Sequence, residues 1–395
     1  MKAYAQDVEV SIVMPCLNEV RTLPDCIKKA HEAIDKIALP GEIVVADNGS
    51  KDGSQELAKS LGARVINVSV RGYGAALAHG IQEARGKYIV MGDADDSYDF
   101  RESVPMIGKL LQGYDLCMGT RLLGRIMPEA MPLLHRYLGN PVLSFLIRWL
   151  FSSRVSDAYC GLRAFNKEAI QRLYLESTGM TFALEMVLKA SLLNLRVTEV
   201  PITLHKDGRD RKPHLRTWAD GWDSLKHILL FAPKFIYWVP SSIMLTLGIF
   251  LTIALNLTPG GQFVFLGNFR FNDHWIVVSG LLCLIGYELA ITGFLAYLYT
   301  LTHRLRRRVR RIDKLVRFIN IEKIILFALA TFTAGLALEL SVVDAWISGA
   351  FGPLNAIRPA VTGMVLILIS TQTLFSGFFY AVLIEQYKKQ LAQNS

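Results

Sequence analysis

The sequence lacks several things that would have pointed elsewhere. Its five cysteines, Cys16, Cys26, Cys117, Cys160 and Cys283, fall at no metal-binding or redox spacing and form no even framework. That argues against a disulfide-stapled secreted scaffold or a zinc module, and it predicts free thiols in a reducing compartment. Charged residues make up only 19% of the chain against 52% hydrophobic, a balance too apolar for an ordinary soluble protein. A dehydrogenase fingerprint is also missing. Gly72-Tyr73-Gly74 follows a strand-like run, but no third glycine comes at the right spacing and no acid answers it downstream. Residues 1–9 carry Lys2, Asp7 and Glu9 instead of an apolar secretory stretch, so the first domain is expected in the cytosol.

A net charge of +9 could suggest nucleic acid, but its location argues against that. Nine lysines and arginines crowd residues 304–323, between two apolar segments. This is the positive-inside pattern of a cytoplasmic membrane loop, and it predicts a membrane partner and no nucleic acid.

The charge and hydropathy patterns divide the chain. Up to about residue 235, short β-branched runs alternate with charged helical stretches: strands at 10–14, 42–46, 64–68 and 88–91, helices between them. This alternation predicts a mostly parallel sheet with helices on both faces. In such sheets ligands sit beyond the carboxyl ends of the strands. Three strands end in polar clusters, 15–19, 47–50 and 93–96, which should converge on one crevice.

From residue 236 onward four apolar runs, about 236–257, 275–301, 323–342 and 360–384, have the length of membrane-spanning helices. Glu339 lies near the outer end of the third, where a carboxylate is costly to insert. The two short loops hold only Arg270 and Arg358. Both termini and the catalytic domain are therefore expected on the cytoplasmic side. Residues 131–151 and 218–235 are apolar but interrupted by charge, and they are read either as core helices or as helices lying in the interface.

Asp93-Ala94-Asp95 carries the sharpest chemical signal. Two carboxylates two residues apart at a strand end can share a hard divalent cation, with diphosphate oxygens and water completing its shell. Such a cation neutralises charge on a departing nucleoside diphosphate. Asp47, at the end of the second strand, is placed to accept hydrogen bonds from a base or a ribose.

Four segments occur in order at fitting spacing over roughly residues 8–225: Val13-Met14-Pro15-Cys16-Leu17-Asn18-Glu19, Asp47-Asn48-Gly49-Ser50-Lys51-Asp52-Gly53-Ser54, Arg71-Gly72-Tyr73-Gly74-Ala75-Ala76 and Asp93-Ala94-Asp95. Together they resemble the motifs of the family 2 glycosyltransferases, and among these the dolichol-phosphate mannose and glucose synthases and their polyprenyl-phosphate relatives. The resemblance implies a GT-A-type fold, an inverting mechanism and a Mg or Mn requirement. It implies that Pro15, Leu17 (in place of a common tyrosine) and Glu19 line the nucleotide, and that Val45 and Asp47 hold the base. Asp93 and Ala94 would contact ribose and sugar, and Asp95 would bind the metal with Asp93 beside it. Arg121 and Arg136 would receive the lipid phosphate. Residues 157–163 and Glu185 match the region around the acceptor helix.

Two positions depart from that pattern. Ser97, preceded by Asp96, stands where the family has a glutamine, which leaves the second metal ligand open. The family's basic segment reads His205-Lys206-Asp207-Gly208-Arg209-Asp210-Arg211-Lys212, and Arg211 is the expected diphosphate contact. The expected reaction is transfer of a sugar, from UDP-glucose first and GDP-mannose second, to a dolichyl or undecaprenyl phosphate. A lipid phosphate is already an anionic nucleophile and needs no general base. A glycolipid or polysaccharide acceptor is one alternative, disfavoured by the lack of the Gln-x-x-Arg-Trp motif of processive synthases. A nucleotide-binding scaffold without catalysis is another. Self-association into a homo-oligomer is left open.

Overall fold

The computed structural model describes residues 8–209, 217–258, 264–266, 269–302 and 318–393. The chain divides into two compact units, Met1–Phe231 and Ala232–Ser395.

The first unit is built on a seven-stranded sheet. In chain order its elements are β1 Val10–Cys16, α1 Leu23–Ile37, β2 Gly41–Asp47, α2 Ser54–Ser60, β3 Arg64–Asn67, α3 Tyr73–Glu83, β4 Tyr88–Met91, α4 Val104–Leu111 and β5 Leu116–Ile126, then α5 Asn140–Phe151, β6 Arg163–Asn166, α6 Lys167–Gln171, α7 Phe182–Leu192, β7 Val197–Leu204 and α8 Thr217–Leu230. The strand order is β3-β2-β1-β4-β6-β5-β7. Only β6 runs against its neighbours β4 and β5; every other pairing is parallel. This is the mostly parallel GT-A-type sheet expected from the alternation of elements.

β1 shows why the core has two layers. Val10, Ile12 and Met14 face one cluster, with Leu23, Cys26, Ile27, Ala30 and Ala33 of α1. Val13 faces the opposite cluster, with Leu77 of α3 and Phe182 and Met186 of α7. Strand alternation sends successive side chains to opposite faces, and the three- and four-residue spacing on α1 gives it one apolar stripe. Each fully buried Leu or Ile contributes roughly 1.5–3 kcal/mol. The register pairs Cys16 with Asp47 and Asp47 with Asn67, so these strand ends lie level. Gly92 continues beside β1 through its N–H to the Val13 carbonyl, 3.3 Å. The polar clusters therefore meet at one edge of the sheet.

The second unit carries helices α9 Val239–Leu257, α10 Trp275–Thr302, α11 Ile321–Ser348 and α12 Ile357–Gln393, with a short hairpin of β8 Val264–Leu266 and β9 Phe269–Phe271 between α9 and α10. A π-helical turn, Lys234–Trp238, leads into α9. All four helices are long and apolar enough to cross a membrane. At 28 residues, α10 and α11 are about 42 Å long, beyond the ~30 Å hydrocarbon core. α11 continues past the expected end at 342, and Glu339 lies within it. α11 and α12 approach through small residues: a Cβ on Gly335 would come within 2.8 Å of the Gly363 carbonyl, and one on Gly363 within 2.8 Å of Glu339 Oε1. Arg358 ties the α9 end to the α10 start, donating to the Asp273 carboxylate at 2.8 Å and to the carbonyls of Leu255 and Thr258. The basic stretch 303–317 lies outside the described residues.

Candidate active site

The loop after β1 is fixed from both sides. Asn18 adopts the left-handed region, φ 56°, which asparagine tolerates better than most residues. Its N–H donates to Ser50 Oγ at 2.8 Å, and its Oδ1 accepts from the Lys51 N–H at 2.8 Å. The N–H of Glu19 donates to Ser54 Oγ at 3.0 Å, and that of Val20 to Asp52 Oδ2 at 3.1 Å. Thr22 Oγ1 then donates to the Ala94 carbonyl at 2.7 Å. Ser50, Asp52 and Ser54 thus act as braces that hold the first and second motifs together, and Thr22 ties in the Asp93-Ala94-Asp95 segment.

Asp47 is 1% exposed, and its two oxygens differ. Oδ1 accepts from the N–H of Gly49 (2.9 Å), the N–H of Ser50 (3.0 Å) and Gln55 Nε2 (2.6 Å). Among the described residues Oδ2, which is buried, has no hydrogen-bond partner. An unpaired buried carboxylate oxygen costs free energy, and Asp47 itself lies behind Asn48 and Gly49, which line the cavity described below. Asn48 bridges onward: its Oδ1 accepts from the Gly72 N–H at 2.7 Å. Gly72 has φ 137° and packs where a Cβ would strike the Thr178 carbonyl, so only glycine fits.

The next residue, Tyr73, donates its hydroxyl to Asp93 Oδ1 at 2.9 Å. Burial, and then the nearby charge of Asp95, push the Asp93 carboxyl up to about 6. Asp95 Oδ1 accepts from the Ser97 N–H at 3.1 Å and from Ser97 Oγ at 2.6 Å. Its Oδ2 pairs with Arg209 Nη1 at 3.1 Å, while Arg209 Nη2 and Nε each lie 2.9 Å from Glu19 Oε1. Asp96 turns away to Lys29, 2.6 Å. Gly161 seals the far side, where a Cβ would meet Asp93 Oδ2 at 2.8 Å.

These groups face a cavity of about 1500 Å³. Pro15, Leu17, Glu19, Asp93, Ala94 and Asp95, all at or just past strand ends, line it, as does Arg121 from the middle of β5. Other expected residues are placed differently. The Val45 side chain is fully buried in the α1 core layer and does not line the cleft, because it lies two residues before the strand end and faces the sheet interior. Arg136 sits on the π-helical turn His135–Gly139 with its guanidinium 5.3 Å from the Tyr137 ring; its neighbour His135 lines the cavity and Arg136 does not. Arg211 lies outside the described residues; Arg209, two positions earlier, pairs with Glu19 and Asp95. Ser97 holds Asp95, so the family glutamine's position serves here to orient the aspartate.

Arg121 is committed to Asp157 by two parallel bonds, Nε to Oδ2 at 2.7 Å and Nη2 to Oδ1 at 2.8 Å, leaving Nη1 outside the pair. Burial opposes ionisation of Asp157, yet Arg121 holds its carboxyl below the ordinary range. Arg163, fully buried, donates to the carbonyls of Cys160 and Ala158 at 2.9 Å each and to that of Ala183, fixing the loop after Asp157 against α7. Glu185 accepts from the N–H groups of Glu176 and Ser177 and pairs with Lys189 at 2.6 Å, shaping the wall near Thr181. Sequence reading gave Tyr73 no role of its own, although its segment was among the four that carry the family resemblance. It also gave Arg209 no role.

Among the described residues no group of three His, Cys, Asp or Glu side chains is arranged to hold a metal. Asp93 and Asp95 fit a hard cation that draws its other ligands from diphosphate and water, and such a cation would offset both the burial and the Asp95 charge that raise the Asp93 carboxyl.

Residues 11–174 match the model of glycosyl transferase family 2, and residues 295–384 match the family 2 C-terminal transmembrane region. The low-salt glycan biosynthesis hexosyltransferase Agl6 of Haloferax volcanii is 33% identical over 371 residues, 93% of this chain and 87% of that protein. A dolichyl-phosphate hexose transferase of the same organism is 28% identical over 213 residues, 54% of this chain and 89% of its own. Among solved structures, glucosyl-3-phosphoglycerate synthase from Mycobacterium tuberculosis with Mn2+ and UDP aligns at 19% identity and TM-score 0.44, covering 57% of this chain and 78% of that one.

Proposed function

The chain belongs to the family 2 glycosyltransferases, and on that premise we propose that it transfers a hexose from a nucleotide-sugar to a polyprenyl phosphate at the cytoplasmic membrane face, with inversion. UDP-glucose is the first donor proposed and GDP-mannose the second. The observation that carries the reading is the cavity. Its lining combines a polar set that includes Asn48, Asp93 and Asp95 with an apolar set of Leu134, Leu138, Leu143, Trp218 and Trp222. A nucleotide-sugar suits the first set and an isoprenoid phosphate the second. The dolichyl-phosphate hexose transferase among its relatives supports the acceptor class.

In this reading the Asp47 carboxylate accepts N–H or O–H groups of the nucleoside, and Asp93, steadied by Tyr73, receives ribose or sugar hydroxyls. A divalent cation, Mg or Mn, held by Asp95 with Asp93 would neutralise the leaving diphosphate. A lipid phosphate oxygen attacks the anomeric carbon as the bond to the diphosphate breaks. The nucleoside diphosphate leaves with the electron pair, so no proton need move at the nucleophile. Arg121, through the part of its guanidinium that Asp157 does not use, is proposed to orient that phosphate.

Residues 131–151 and 218–230 fit a surface that rests on the bilayer. Tyr137, Phe145, Trp149, Trp218 and Trp222 are all exposed, with Trp218 at 81%. Arg148 and Lys226 accompany them, and the chain runs directly from α8 into the first apolar helix. Aromatic rings of this kind favour the head-group layer.

The test is a donor and acceptor panel on the purified full chain. The expected product is a lipid-linked hexose formed only with polyprenyl phosphate and a divalent cation. Transfer to glycolipid or polysaccharide instead would favour the other acceptor class. Nucleotide binding without any transfer would favour a scaffold.

A further inference from the structure

We propose that Arg209 is the resident counter-ion of the donor site, holding Asp95 and Glu19 while no nucleotide is bound and releasing Asp95 to a divalent cation when a nucleoside diphosphate arrives to take the guanidinium. This rests on the reading of the cleft as a nucleotide-sugar site. It adds that cation and nucleotide bind cooperatively because one arginine stands between them.

The geometry is specific. Asp95 offers two oxygens, and both are engaged: Oδ1 by the N–H and hydroxyl of Ser97, Oδ2 by Arg209 Nη1 at 3.1 Å. Ser97 comes from the same turn and leaves the carboxylate's direction fixed. Arg209 arrives from a segment far along the chain. The other two guanidinium bonds go to Glu19, so one planar fork spans the ends of two motifs. Its side chain is only 18% exposed, which limits screening of these pairs by solvent.

The backbone beneath is anchored independently of the side chain. The His205 N–H donates to the Ser97 carbonyl at 2.9 Å, and the Gly208 N–H to the Asp95 carbonyl at 2.9 Å. A Cβ on Gly208 would lie 2.8 Å from Thr22 Cγ2, so glycine permits this close approach. Arg209 can therefore exchange partners by side-chain rotation while Gly208 stays seated.

A bare dication approaching Asp95 meets a guanidinium on the oxygen it needs, and like charges oppose one another at that distance. A dication arriving with a nucleoside diphosphate brings phosphate oxygens that Arg209 can grip in place of Asp95. Displacement then exchanges one charge-assisted pair for another. By linkage, nucleotide must tighten cation binding and cation must tighten nucleotide binding by the same factor.

The test measures Mn2+ binding to the full chain in detergent by electron paramagnetic resonance, with and without UDP or GDP, for the wild type, Arg209→Gln and Arg209→Lys. Arg209→Gln should bind Mn2+ alone more tightly than wild type, by about 5- to 150-fold if the arginine carries an ordinary coupling free energy. The tightening caused by nucleotide should shrink in the same variant, and Arg209→Lys should fall between the two. Should Arg209→Gln fail to fold, Arg209→Lys carries the comparison, with a smaller gain in Mn2+ affinity expected. Equal or weaker Mn2+ binding without nucleotide in the variants overturns the proposal while leaving the active-site reading intact. A wild type that binds neither Mn2+ nor nucleotide sinks that reading, and this inference with it.

Discussion

Arg121 and Asp157, 36 positions apart, form a buried two-bond ion pair at 2.7 and 2.8 Å on the wall of the cavity. The pair joins the middle of β5 to the loop that Arg163 fixes, and of the two Arg121 lines the cleft.

Removing one partner leaves the other charge buried without compensation. Asp157→Ala is expected to destabilise the first unit by about 3–5 kcal/mol. The double variant Arg121→Ala/Asp157→Ala should recover part of that loss in a thermal melt of the detergent-solubilised chain. The pH sign follows from the lowered Asp157 carboxyl. Its contribution is present above the unfolded carboxylate value, about 3.9, and is lost as pH falls through the lower folded value. Acid should therefore erode wild-type stability in that window more steeply than it erodes the double variant's. Parallel acid profiles would contradict this.

Asp95→Asn is expected to abolish transfer while leaving the chain folded and membrane-inserted. Its side chain lies at a strand end in contact with Ser97 and Arg209, outside the apolar core. Activity measured across Mg and Mn concentrations checks it. Near-normal transfer with an unchanged cation requirement would remove Asp95 from the cation's ligands.

Arg121 and Arg136 now separate. Arg121→Ala is expected to weaken use of polyprenyl phosphate by about 2–5 kcal/mol of transition-state stabilisation, part of it through the lost Asp157 pair. Arg136→Ala should change acceptor dependence far less, since Arg136 does not line the cavity. Acceptor-dependence kinetics with donor binding by calorimetry distinguishes the cases. Loss of donor affinity with intact acceptor dependence in Arg121→Ala would place that arginine on the diphosphate.

Single-cysteine labelling tests the orientation. A cysteine at residue 312 should label from the cytoplasmic side and one at 265 from outside, following the arginine asymmetry between the loops. The reverse pattern would overturn the proposed topology.

Much of this protein was set locally along the chain. Alternation of β-branched runs with helical stretches set the parallel sheet, because a strand and a following helix can pack only in a few ways. Runs of apolar residues set four membrane helices, because bilayer thickness fixes the length required. Asp93 and Asp95 were visible because both sit at one strand end. What remained hidden depends on contacts between distant positions. Val45 and Asp47 lie two apart on β2 and point to the same face; the core keeps the first, while the second has a buried oxygen with no partner among the described residues. The meeting of Arg209 with Glu19 across 190 positions required the chain to be folded. So did the pairing of Tyr73 with Asp93 and of Arg121 with Asp157. Sequence spacing determines which elements form, but which side chain fills which oxygen is decided only when separate elements bring their ends to one cleft.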